Sequence, residues 1–206
     1  MNWDHQKVFS TNIFILDDFL FEEMASHMKS YIENVWKKRT NNDNWQSEPD
    51  LHTKDVSTLA FKPFAEMIID VSKEILNELK YDVEDIIITG MWANVIRPGE
   101  THPVHTHSNN FLSGTYYLHS DQGASIMFRD PRSAADVIVP RKKETTIDNS
   151  SVLSYASKTN RAIIFPSWLP HWVEQNKSKN KRISIAWNIQ VKGQVGEHHE
   201  YQSADF

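Results

Sequence analysis

The stretch RAIIFPSWLPHWVEQNKSKNKRISIAWNIQV, residues 161–191, decides the reading of the fold. It holds three short runs rich in β-branched and aromatic residues, broken by a proline-bounded turn and by the polar KSKNK. Runs of that length and chemistry between breakers are strands. Reading outward, IIITGMWANVIRPG (86–99), FLSGTYYLHS (111–120), ASIMFRD (124–130), DVIVP (136–140) and SVLSYAS (151–157) repeat the pattern. Closely spaced short strands predict an antiparallel sandwich or barrel over 86–191.

Upstream the period changes. STNIFILDDFL (10–20) reads as a strand entering a turn, and 17–39 as an amphipathic helix with Phe21, Met24, Met28, Ile32 and Val35 on one face. A polar loop follows at 39–50. A second helix over 62–79 carries Phe64, Met67, Ile68, Val71, Ile75, Leu76 and Leu79, with Pro63 in its first turn. Helices first and strands later predict an α+β, mainly β chain, in which helices (1–85) buttress one face of a barrel (86–191), followed by a flexible tail (192–206). The whole reads as one domain.

Composition bounds the function. A net charge of −5 gives no field favouring nucleic acid or an anionic membrane. The absence of cysteine excludes disulfides, thiolate metal sites and cysteine nucleophiles. No apolar run approaches the roughly 20 residues of a membrane-spanning helix, and MNWDHQKVFS lacks a signal pattern, so a cytoplasmic protein is expected. The sequence leaves the oligomeric state open, a homodimer included.

THPVHTHSNN (101–110) holds three histidines in six positions. In extended chain His105 and His107 point the same way, whereas His102 has the other parity and lies beyond Pro103, so it is set aside. His171, opening a strand after the turn, is the candidate third donor. Three imidazoles without thiolate suit iron, copper, nickel or zinc, although a chain with ten histidines also supplies solvated ones. Eleven residues on, Arg182 and Ser184 share a strand face. A guanidinium beside a hydroxyl is a receptor for a carboxylate, so the set implies a metal and an anchored acid.

HTHSNNFLSGTYYLHS (105–120), MFRDPR (127–132), FPSWLPHWVEQN (165–176) and RISIAWN (182–188), in that order, resemble the Fe(II)/2-oxoglutarate-dependent oxygenases. The likeness is nearest to a small uncharacterised branch and spans about 90–190. It is more distantly similar to prolyl-4-hydroxylase-like enzymes, with Pro98-Gly99 ahead of the first ligand. The resemblance implies a double-stranded β-helix (a cupin-like jelly roll). It also implies an Fe(II) site at His105, His171 and position 107, O2 and 2-oxoglutarate as cosubstrates, and hydroxylation of an unidentified small molecule or protein side chain with release of succinate and CO2.

The chain departs from the superfamily at His107, where an Asp or Glu is usual. Either His107 ligates, or another group fills the position, Asp130 being the carboxylate to check. Three neutral ligands leave the full +2 charge on iron, which favours the 2-oxoglutarate dianion and disfavours higher oxidation states. Under the resemblance Arg182 and Ser184 take the far carboxylate of 2-oxoglutarate. Tyr117 is a supporting donor or an ordinary strand aromatic; Asn94 lines the pocket or bonds backbone. Asn109 and Arg132 face substrate or are turn residues, and Trp168, Trp172 and Trp187 are core or platform. Asn160 stands where a glycine is common, and asparagine tolerates a left-handed turn. The segment 139–151, with its RKK, is expected to frame the entrance. Two other classes stay open: a three-His cupin-like enzyme without 2-oxoglutarate, and a catalytically inactive binding barrel.

Overall fold

The computed structural model describes residues 2–38, 45–53, 58–197, 199 and 201–206. Ten strands form two antiparallel sheets. They are β1 (Phe14–Asp17), β2 (Trp45–Gln46), β3 (Asp85–Ile96), β4 (His102–His105), β5 (Leu112–His119), β6 (Ile126–Arg129), β7 (Val152–Tyr155), β8 (Arg161–Pro166), β9 (His171–Val173) and β10 (Arg182–Lys192). The larger sheet has the order β1-β8-β5-β10-β3-β2 and the smaller β4-β9-β6-β7. This is the double-stranded β-helix expected.

Alternation along β10 creates the layers. Ile183, Ile185, Trp187 and Ile189 are buried in one cluster with Met28 and Ile32 of α1 (Glu22–Lys37) and Phe64, Ile68, Ile75 and Leu76 of α2 (Thr58–Glu78). Arg182 and Ser184 have the opposite parity and turn into the barrel. There Tyr117, Ile126, Phe128, Ile163, Phe165 and Leu169 form a second core between the sheets. Position 114 needs glycine because a Cβ there would collide with the Trp187 indole.

Several expectations are corrected. The first helix starts at Glu22 rather than 17, because Asp18 is left-handed (φ 54°) and Phe21 is still extended. The second helix begins at Thr58, so Pro63 lies inside it and costs one helical hydrogen bond. Val137, Ile138 and Val139 of the DVIVP run are in no strand and are exposed, since no neighbour offers them a ladder. The tail is not loose: Gly193 and Phe206 exchange backbone hydrogen bonds beside a short ribbon of β11 (Gln194–Val195) and β12 (Ala204–Asp205). Residues 39–44 of the polar loop and His198 lie outside the described residues. Among the described residues no helix is long and apolar enough to cross a membrane.

Candidate metal and cosubstrate site

His105 ends β4 and His171 opens β9, and the ladder sets them directly opposite one another. Two residues beyond the strand, the His107 backbone N–H donates to the Ser167 carbonyl (2.9 Å), which holds the turn against the loop before β9. The three rings converge: centroids lie 4.2 Å apart for His105–His171, 5.0 Å for His105–His107 and 5.1 Å for His107–His171. One ligand atom from each lies within 4.8 Å of the others.

The outer nitrogens are already engaged. His105 Nδ1 donates to the Pro103 carbonyl (2.8 Å) and His171 Nδ1 to the Leu169 carbonyl (2.9 Å). Each bond fixes the tautomer and leaves Nε2 as a lone-pair donor, the usual arrangement around metal-binding histidine. His107 Nε2 lies 3.2 Å from His171 Nε2. Burial first, then the neighbouring imidazoles, pushes the His107 pKa down to about 4; for His171 burial takes it to about 3 against a Leu169 hydrogen bond. Neutral imidazole is the form a metal requires.

The same pocket extends to Arg182, Ser184, Asn94, Gln46, Trp92 and His102. Arg182 is 3% exposed, donates through Nη1 to Ser184 Oγ (3.0 Å), and lies over the Tyr117 ring at 4.7 Å. Its Nε and the buried Tyr117 hydroxyl have no hydrogen-bond partner. Burial lowers the Arg182 pKa and raises that of Tyr117, each partly offset by the other. Among the described residues no carboxylate pairs with this guanidinium, so a buried cation, a hydroxyl and an N–H await an anion. That need fits a dicarboxylate, and the three-imidazole set fits a divalent metal with open positions.

The other sequence candidates sort clearly. Asn94 reaches the pocket, but its Oδ1 accepts from Gln46 Nε2 (2.9 Å). Asp130 is bound to Arg132, whose Nη2 donates to Oδ2 at 2.7 Å, and neither lines the imidazole pocket, so the carboxylate alternative for the third position is set aside. Asn109 is an exposed left-handed turn residue (φ 60°). Trp187 is core, and Trp168 is 54% exposed. Ile147, Asp148, Ser150 and Ser151 border a separate cavity of about 570 Å³ beneath the N-terminal segment 5–13, not the imidazole pocket.

Sequence reasoning missed three lining groups. His102 was set aside on parity, yet the ladder shifts register between His102 and His105, so the two rings meet edge-on at 4.6 Å. Trp92 stacks on His107 (5.7 Å, 24°), and Gln46 arrives on a two-residue edge strand. Only the alternation of MWANV hinted at Trp92, which shares its face with Asn94.

Residues 90–188 match the model of a family described as "Putative 2OG-Fe(II) oxygenase". No curated protein matches the sequence. Among solved structures, a prolyl-4-hydroxylase from Pseudomonas putida has a TM-score of 0.65 at 12% identity, over 89% of this chain and 95% of that one. A prolyl hydroxylase from Trichoplax adhaerens, in complex with a hypoxia inducible factor oxygen degradation domain peptide fragment, gives 0.64 at 12% identity, over 88% and 84%. HygX from Streptomyces hygroscopicus, with nickel and 2-oxoglutarate bound, gives 0.59 at 10%, over 87% and 83%. At such identities the likeness is one of fold, the double-stranded β-helix. The family match spans the strands that carry the three histidines and Arg182, so this part of the chain is similar to the 2OG-Fe(II) oxygenases.

Proposed function

We propose that the protein is an Fe(II)- and 2-oxoglutarate-dependent hydroxylase whose metal is held by His105, His107 and His171. The observation that carries this reading is one pocket with two chemically different ends. Three neutral imidazoles meet at one end, and at the other a buried Arg182 has no anionic partner among the described residues. Fe(II) with 2-oxoglutarate would supply dioxygen activation coupled to decarboxylation of the cosubstrate to succinate and CO2.

The chain's own residues bind and orient. Arg182 would receive the far carboxylate of 2-oxoglutarate through its free Nε–H while Ser184 holds Nη1, and the Tyr117 hydroxyl would donate a further hydrogen bond. Burial of Tyr117, Ser184 and Arg182 keeps water from competing for that carboxylate. Asn94 and Gln46 form a linked amide pair on the wall. The substrate is a small molecule or a protein side chain.

The test is succinate production from 2-oxoglutarate under air, with Fe(II) present, in the wild type and in Arg182→Ala. Wild-type turnover, even without added substrate, with at least a hundredfold rise in the KM for 2-oxoglutarate in the variant, supports the reading. Loss of a buried charged contact of this kind costs about 3 kcal/mol or more. Metal-dependent activity indifferent to both 2-oxoglutarate and Arg182 would replace it with a three-His enzyme of another type.

A further inference from the structure

The third ligand position has its own support, built from residues that the mechanism does not use. His105 and His171 each give Nδ1 to a backbone carbonyl two residues back. No such carbonyl bond is made by His107; instead the side chain of Asn188, on the barrel-facing side of β10 with Arg182 and Ser184, lies beside its ring. Its Nε2 is turned to His171, which leaves Nδ1 as the ring nitrogen open to a second partner.

The amide is in turn held. Ser113 on β5, the cross-strand partner of Asn188, donates from Oγ to Asn188 Oδ1 at 2.8 Å. Ser167 Oγ lies 2.8 Å from Ser113 Oγ, both hydroxyls being buried. The chain closes on itself, since the Ser167 carbonyl takes the His107 backbone N–H. The β10–β3 register shifts directly after Asn188, a bulge of the kind that aims a side chain beside a site. Trp92, stacked on the ring, restrains its tilt.

We infer that Asn188 is a positioning residue for the metal: its Oδ1, oriented by the Ser167–Ser113 hydroxyl pair, accepts Nδ1–H of His107 and so presents Nε2 at the position a carboxylate usually occupies. The opposite amide orientation would have Asn188 donate to Nδ1 and leave the proton on Nε2, which then could not ligate. Ser113 needs an acceptor on Asn188 as well, so one oxygen serves both donors. The inference rests on the three-imidazole reading above.

The experiment titrates the metal-free protein with Co(II) against a competing chelator and records the visible d–d spectrum, with no turnover involved. The variants are Asn188→Leu, which keeps the shape and removes the acceptor, Asn188→Asp, which restores an acceptor, His107→Ala, and the His107→Ala/Asn188→Leu double variant. Asn188→Leu is expected to weaken Co(II) binding by about 10- to 100-fold and to alter the d–d bands. Asn188→Asp is expected to bind at least as tightly as wild type. In the His107→Ala background the Leu substitution is expected to change affinity less than about twofold, since it acts through that ring. Equal loss in both backgrounds would make Asn188 merely structural and overturn the inference. Tight binding by Asn188→Leu beside weak binding by His107→Ala would overturn it while leaving the three-imidazole site standing. Wild-type affinity in His107→Ala would remove the three-imidazole reading and this inference together.

Discussion

At the scale of single residues the site is governed by unmet valence. Tyr117 is fully buried with its hydroxyl unpartnered, a condition that costs roughly 1–3 kcal/mol unless something supplies an acceptor. Tyr117→Phe is therefore expected to leave the metal-free protein as stable as wild type or slightly more so in urea unfolding, while weakening 2-oxoglutarate binding about tenfold. A loss of stability without a loss of affinity would mark the hydroxyl as structural. His105 with His107, and Arg182 with Ser184, are legible as pairs in the sequence because strand alternation is local, whereas His171 comes to face His105 only through the β4–β9 ladder. His102 is not legible, because a register shift in the β4–β9 ladder between His102 and His105 reverses its parity. The support of His107 was hidden for a related reason: Asn188, Ser113 and Ser167 stand far apart in the chain and meet only through cross-strand pairing.

At the scale of elements, one turn does the work of a clasp. Asn160, left-handed at φ 63° between β7 and β8, accepts from Leu20 N–H (2.8 Å) and Tyr116 Oη (2.9 Å) and donates to the Leu20 carbonyl (2.9 Å). It ties the approach to α1 onto the barrel. The sequence allowed the backbone geometry; that the same amide would anchor a segment 140 positions away needed the fold. Asn160→Gly keeps the turn and loses the clasp, and is expected to cost roughly 2–3 kcal/mol in urea unfolding. Asn160→Ala should cost about 1–2 kcal/mol more, because alanine resists the left-handed region. Equal values for the two would show that the turn's handedness carries no strain. The run at 137–139 misled for the opposite reason: β-branched residues mark a strand only where a neighbouring edge exists to pair with them.

At the scale of the whole molecule, the larger sheet stands between two cores, and α2 closes the outer one. Phe64 packs on Tyr116 (5.5 Å), Trp187 (5.7 Å) and Phe19 (6.2 Å), so the helical cover and β5 and β10 meet at one side chain. Phe64→Ala is expected to destabilise the protein by about 3–5 kcal/mol. Helix content and tryptophan fluorescence should fall in a single coincident transition; separate transitions would mean that helices and barrel unfold independently. The central claim is narrower and concerns the two ends of the imidazole pocket. The most direct measurement is anaerobic: add Fe(II) and then 2-oxoglutarate to the metal-free protein and record the visible metal-to-ligand charge-transfer band, with Arg182→Ala alongside. A band in the wild type that is lost in Arg182→Ala at the same 2-oxoglutarate concentration is the expected result. Tight Fe(II) binding with no band on adding 2-oxoglutarate would contradict the account.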